Sequence, residues 1–143
     1  MEYNMRDRII DKLNEIDVHL NRIKSIRVNS FEDYKNADPN IKYSMERNLQ
    51  LISDAELDVV VLMYKKFGRD VAGGLPSMIK SLKSVLSSSL LGYFDKRREL
   101  RNRLVHVYKE FSFDKEVFES SRDTADIEAF VQEIKKIIDR DWT

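Results

Sequence analysis

Cysteine is missing from this 143-residue chain, and glycine (4), proline (2) and histidine (2) are scarce. Without thiols there is no disulfide framework and no thiolate metal site, which fits a reducing compartment. So few turn formers disfavour a turn-rich β fold, and 42% hydrophobic residues disfavour disorder. Net charge of one sign is also lacking, since 25 Lys plus Arg balance 25 Asp plus Glu. No overall basic field therefore drives binding to nucleic acid or membrane, and any such binding must come from a local patch. Long apolar runs are absent too: "VVVLMY" from Val59 to Tyr64 is far below the ~18–20 residues that span a bilayer. The start, "MEYNMRDRIIDK", places charges where a signal peptide has its apolar region. The expectation is a soluble, cytoplasmic chain forming one domain over 1–143.

What is present is helical periodicity. Ile9, Leu13, Ile16, Leu20 and Ile23 recur at steps of three and four and place one apolar face on a long first helix. Asp38 suits an N-cap and Pro39 a first helical position, so a second helix is predicted there, with Ile41, Met45, Leu49, Ile52, Ala55, Val59 and Met63 as its stripe. "GGLP" at 73–76 marks a turn into a short helix carrying Ile79, Leu82 and Leu86, which the serines at 87–89 are expected to close. A further helix is predicted from Leu90 to about Phe111, and a last one around Ile127, Phe130, Val131, Ile134 and Ile138. The sum is an all-α, up-and-down bundle of four to five helices.

Chemistry concentrates in "RNRLVHVY", residues 101–108. On the helical wheel Tyr93, Leu100, Leu104, Val107 and Phe111 form a narrow apolar sector, and Arg101 and His106 fall outside it. Five basic residues against one acid in "KRRELRNR" make a local positive patch, in which Lys96, Arg97, Arg98 and Arg103 are candidates to hold RNA phosphates. The plainer reading is a solvated face paired to acids on neighbouring helices. The imidazole of His106 exchanges protons near neutral pH, and a guanidinium stabilises charge on a phosphoryl oxygen. Together they suit attack of a ribose 2′-OH on the adjacent phosphate, for which no metal is needed.

Arg101 and His106 diverge by about 140° on one ideal helix, whereas Asn102 shares the face of His106 and can orient it. The pair must therefore work by reach around the helix, or across a symmetric dimer with this helix on the two-fold axis. Tyr108 lies about 20° from Arg101, close enough for its hydroxyl to edge the site or to be an ordinary boundary tyrosine. Other candidates are weak. His19, near Glu15 and Asp17, lacks metal-ligand spacing and reads as a surface residue; "GGLP" lacks the lysine of a phosphate loop; Asp54, Glu56 and Asp58 cannot all share one helical face.

Arg101, four residues, His106, one residue, Tyr108, with Asn102 after the arginine, resembles the signature of HepT-type HEPN proteins. The similarity extends through "MERNLQLISDAELDVVVLMYKKFG" and "RELRNRLVHVY" and so over nearly the whole chain. The resemblance implies an all-α homodimer acting as a metal-independent ribonuclease toxin without cofactor, encoded beside an MNT-type nucleotidyltransferase antitoxin. It further implies that Arg101 and His106 are catalytic with Asn102 in support. By the same resemblance Tyr108 is the residue on which the antitoxin places AMP, and tRNA is the expected RNA target. The alternative expectation is a non-catalytic helical partner or substrate-binding subunit of a nucleotidyltransferase.

Overall fold

The computed structural model describes residues 4–67, 74–106 and 111–141, and among them finds seven helices and no strand. α1 (Met5–Ser25) starts where the Asn4 side chain accepts from the Asp7 backbone N–H at 2.9 Å, and it buries the five predicted residues Ile9, Leu13, Ile16, Leu20 and Ile23. α2 (Phe31–Lys35) is a short helix capped by Ser30, whose hydroxyl accepts from the Asp33 N–H at 3.1 Å. Its Tyr34 is fully buried. Five residues are too few to show a period, which is why the pattern did not reveal it.

α3 (Pro39–Phe67) has 29 residues and is about 43 Å long. Pro39 opens it, and the Asp38 carboxylate accepts from the Asn40 N–H at 2.8 Å. It packs against α1, α4, α5 and α6, so it is the central pillar of the bundle. Its predicted stripe is buried from Met45 to Met63, while Ile41, expected in that stripe, is 38% exposed. α4 (Leu75–Ser81) follows Gly74 and carries Pro76 in its first turn.

The serines at 87–89 do not close that short helix. Ser87 instead accepts from the Leu90 N–H at 3.1 Å, and α5 (Ser88–His106) begins there. α5 is described as far as His106 and α6 spans Phe111–Ser121; the stretch 107–110, through which the helix from Leu90 was expected to run on to about Phe111, lies outside the described residues. α7 (Thr124–Asp141) buries Ile127, Phe130, Val131, Ile134, Ile137 and Ile138. Phe130 meets Phe94 of α5 edge-on at 5.2 Å between centroids and stacks with Tyr93 at 5.6 Å. Each such buried aromatic or aliphatic side chain contributes ~1.5–3 kcal/mol. Among the described residues the helices number seven against the four to five expected, with α2 and α6 the additions.

Candidate functional site

The seam between α3 and α5 is built from two arginines of α5 and two carboxylates of α3. Arg97 is 4% exposed and its Nε donates to Glu56 Oε1 at 2.8 Å. The Tyr93 hydroxyl donates to the other Glu56 oxygen, and the guanidinium lies 5.5 Å from the Tyr93 ring centroid. Burial pushes the Glu56 carboxyl up from its ordinary range, against the pull of Arg97 and the Tyr93 hydroxyl. Burial and the neighbouring Glu56 carboxylate likewise push the Tyr93 phenol up. One turn on, Arg101 Nε donates to Asp54 Oδ1 at 2.9 Å, but here 43% of the arginine side chain stays in solvent.

Among the residues expected to hold RNA phosphates, Arg97 is corrected. Leu90, Arg97 and Leu104 stand seven residues apart, so Arg97 lies inside the apolar stripe of α5, and its guanidinium is committed to Glu56. Arg103 is half-buried and makes a forked pair with Glu116 of α6, Nε to Oε2 at 2.9 Å and Nη2 to Oε1. Arg98 is half-buried with its Nε enclosed and without a hydrogen-bond partner among the described residues, and Lys96 is exposed. The plainer reading of the basic run, arginines paired to acids on neighbouring helices, thus accounts for Arg97, Arg101 and Arg103.

Asn102 is exposed on α5, and His106 is the last described residue of that helix. The His106 side chain and the whole of Tyr108 lie outside the described residues. Arg101, expected off the core stripe, sits at its edge, since the stripe runs through Leu90, Phe94, Arg97, Leu100 and Leu104. His19 is not a free surface residue either: it is half-buried, with Nδ1 3.0 Å from Asn48 Oδ1, tying α1 to α3. Among the described residues no cluster of His, Asp or Glu could hold a metal.

Sequence reading missed Asp54 and Glu56 as arginine partners. The signal was present, because acids inside the apolar run "LISDAELDVVV" of a buried helix need cations from a facing helix. Asp58, the third acid, pairs instead with Lys12 of α1 at 3.2 Å.

Two clefts flank α5. One, of about 840 Å³, lies between the start of α3 and the end of α5, where Tyr43 and Arg47 face Leu104 and Val105. The other, of about 490 Å³, lies toward α7 and is lined by Glu99, Asp123, Asp126 and Glu133 together with Lys96 and Arg97. Its carboxylates make it a poor seat for phosphate. No described helix is long and apolar enough to cross a membrane.

An all-α bundle with an arginine half-exposed on its central seam, five residues before a histidine of the same helix, is thus the frame into which any function must fit. The family described as "Ribonuclease HepT-like" matches residues 16–134, and the chain belongs to that family. Two solved structures share the fold. A toxin–antitoxin with AMP-PNP is 23% identical with a TM-score of 0.77, the match covering 91% of this chain and 98% of that one. A tri-AMPylated Shewanella oneidensis HEPN toxin in complex with an MNT antitoxin is 24% identical with a TM-score of 0.76, with the same coverage of both chains. No curated protein matches.

Proposed function

We propose that the chain is a metal-independent endoribonuclease, the toxin of a HepT/MNT pair. The observation that carries this is Arg101. It is anchored by Asp54 yet keeps 43% of its side chain in solvent, five residues before His106 on one helix, in a chain of the HepT-like ribonuclease family. His106 takes the proton of a ribose 2′-OH, the 2′-oxygen attacks the adjacent phosphorus, and the 5′-oxygen leaves and regains a proton. Arg101 clamps the charge that builds on the phosphoryl oxygens, and Asn102 orients the imidazole. The products are a 2′,3′-cyclic phosphate and a 5′-hydroxyl.

The wheel angle of about 140° between Arg101 and His106 supports a homodimer through α5, which brings one copy's arginine to the other's histidine. Tyr108 is the residue on which a nucleotidyltransferase partner places AMP, setting phosphate beside Arg101 in competition with RNA. An AMPylated toxin of the same fold supports that assignment. The pairing of Arg97, Arg101 and Arg103 with carboxylates favours a second reading, a helical partner of a nucleotidyltransferase with no chemistry of its own.

The deciding experiment incubates the purified protein with tRNA and bulk RNA in the presence of a chelator and maps the ends. Cyclic phosphate ends are expected, with losses of about 10²–10⁴-fold for His106→Ala and about 10²–10³-fold for Arg101→Ala. Intact RNA alongside tight transferase binding would establish the second reading, and strict metal dependence would overturn the first.

A further inference from the structure

Along α3, Tyr43, Arg47, Gln50 and Asp54 are spaced four, three and four residues apart, so they form one stripe about 16 Å long on a single face. At one end of the stripe Asp54 holds Arg101 at 2.9 Å. At the other, Tyr43 keeps 68% of its surface in solvent, the most exposed large hydrophobic side chain among the described residues. Arg47, one turn further along, is exposed as well. Neither makes a hydrogen bond, ion pair or ring contact with another described residue. Tyr43, Arg47 and Gln50 line the 840 Å³ cleft together with Leu104 and Val105 of α5, the two residues immediately before His106. Val105 is itself 43% exposed.

An aromatic face in water, with a guanidinium one turn away and an apolar wall opposite, is the arrangement on which an unstacked nucleobase settles. We propose that this stripe is a subsite for a single-stranded nucleotide of the RNA, further along the strand from the phosphate clamped by Arg101. The base stacks on Tyr43 against Val105, Arg47 takes the neighbouring phosphate, and the Gln50 amide meets a base or ribose edge. The proposal rests on the endoribonuclease reading and deepens it. It confines cleavage to loops and unpaired ends, because a duplexed base cannot reach the Tyr43 ring. Lys42 is paired to Asp114 at 3.1 Å, and Glu46 also lines the cleft, so its net charge is near zero. Binding there depends on stacking, and its salt dependence is shallow, near that of a single phosphate contact.

The test uses the full chain carrying Tyr43→Trp and Trp142→Phe, titrated with a single-stranded oligoadenylate, so that the indole reports stacking directly. Saturable quenching is expected, with Tyr43→Ala raising Kd and KM roughly ten-fold while Tyr43→Phe stays near the parent. RNA that is bound and cleaved without quenching, and unaffected by Tyr43→Ala, would overturn the subsite while leaving the ribonuclease reading intact. Quenching without cleavage of any RNA would overturn that reading while leaving the subsite. If Tyr43→Ala instead splits an assembly of two copies, seen by light scattering, with RNA affinity unchanged, the stripe is an interface between copies and the proposal falls.

Discussion

Arg97 and Arg101 stand one turn apart on α5, both reach across to α3, and both end on a carboxylate, yet their surroundings assign them opposite work. Arg97 has 5% of its side chain exposed and its partner Glu56 none. That guanidinium is buried and its Nε is held by Glu56 inside the core, so the pair joins the two helices. Arg101 and Asp54 keep 43% and 35% of their side chains in solvent. A pair so exposed is worth ~0–1 kcal/mol, and it engages only the Arg101 Nε, so an incoming anion can meet the rest of the guanidinium while Asp54 keeps it in place. Burial, not residue type, separates the structural arginine from the candidate catalytic one.

The sharpest way to break the comparison is stability. Arg97→Ala is expected to lower the unfolding free energy by about 3–5 kcal/mol, because it leaves Glu56 buried and uncompensated. Chemical denaturation measures it, and the double change Glu56→Leu with Arg97→Met should recover most of the loss. Arg101→Ala, by contrast, should cost under about 1 kcal/mol. Equal losses for the two arginines would show that the seam is uniform and the division of labour wrong.

A second, smaller effect isolates positioning from folding. Asp54→Asn should leave stability nearly unchanged and lower kcat for RNA cleavage by up to about 100-fold through a misplaced Arg101, with KM little affected. A matching fall in stability would instead make Asp54 a second structural anchor.

The smallest effect concerns Asp123, just before α7, whose carboxyl is pushed up by burial and by repulsion from Asp126, while Arg97 and Lys96 pull it down. A carboxyl raised in the folded state contributes stability below its unfolded pKa and loses it as pH rises through the folded value. Asp123→Asn should therefore raise Tm slightly at pH 7 and not at pH 3. The gain should grow when Arg97 is also replaced, since that removes the largest favourable charge on Asp123.

Much of the fold was legible in the residues because it rests on local periodicity. The stripe of α1 and the Asp38–Pro39 start of α3 follow from side-chain spacing and from the chemistry of helix ends. The motif that led to the HepT-like family was equally legible, since it is a matter of residue types in sequence. Where the reading failed on Arg97, the deciding contact was distant, since its partner Glu56 stands on another helix. Ser87 as a cap rather than a stop was instead a local matter, settled by the Leu90 N–H three residues on.

The amino-acid order by itself determined an all-α chain with an arginine, a histidine and a tyrosine spaced for HepT-type chemistry. It did so because helical pattern and motif are properties of neighbours along the chain. Only the tertiary structure decided which cations of "KRRELRNR" are free to act. Glu56, Asp54 and Glu116 lie 41, 47 and 13 residues from their arginines. The energy of a charge is set by how far its partner and the surrounding water are displaced in three dimensions, and no count along the sequence contains that distance.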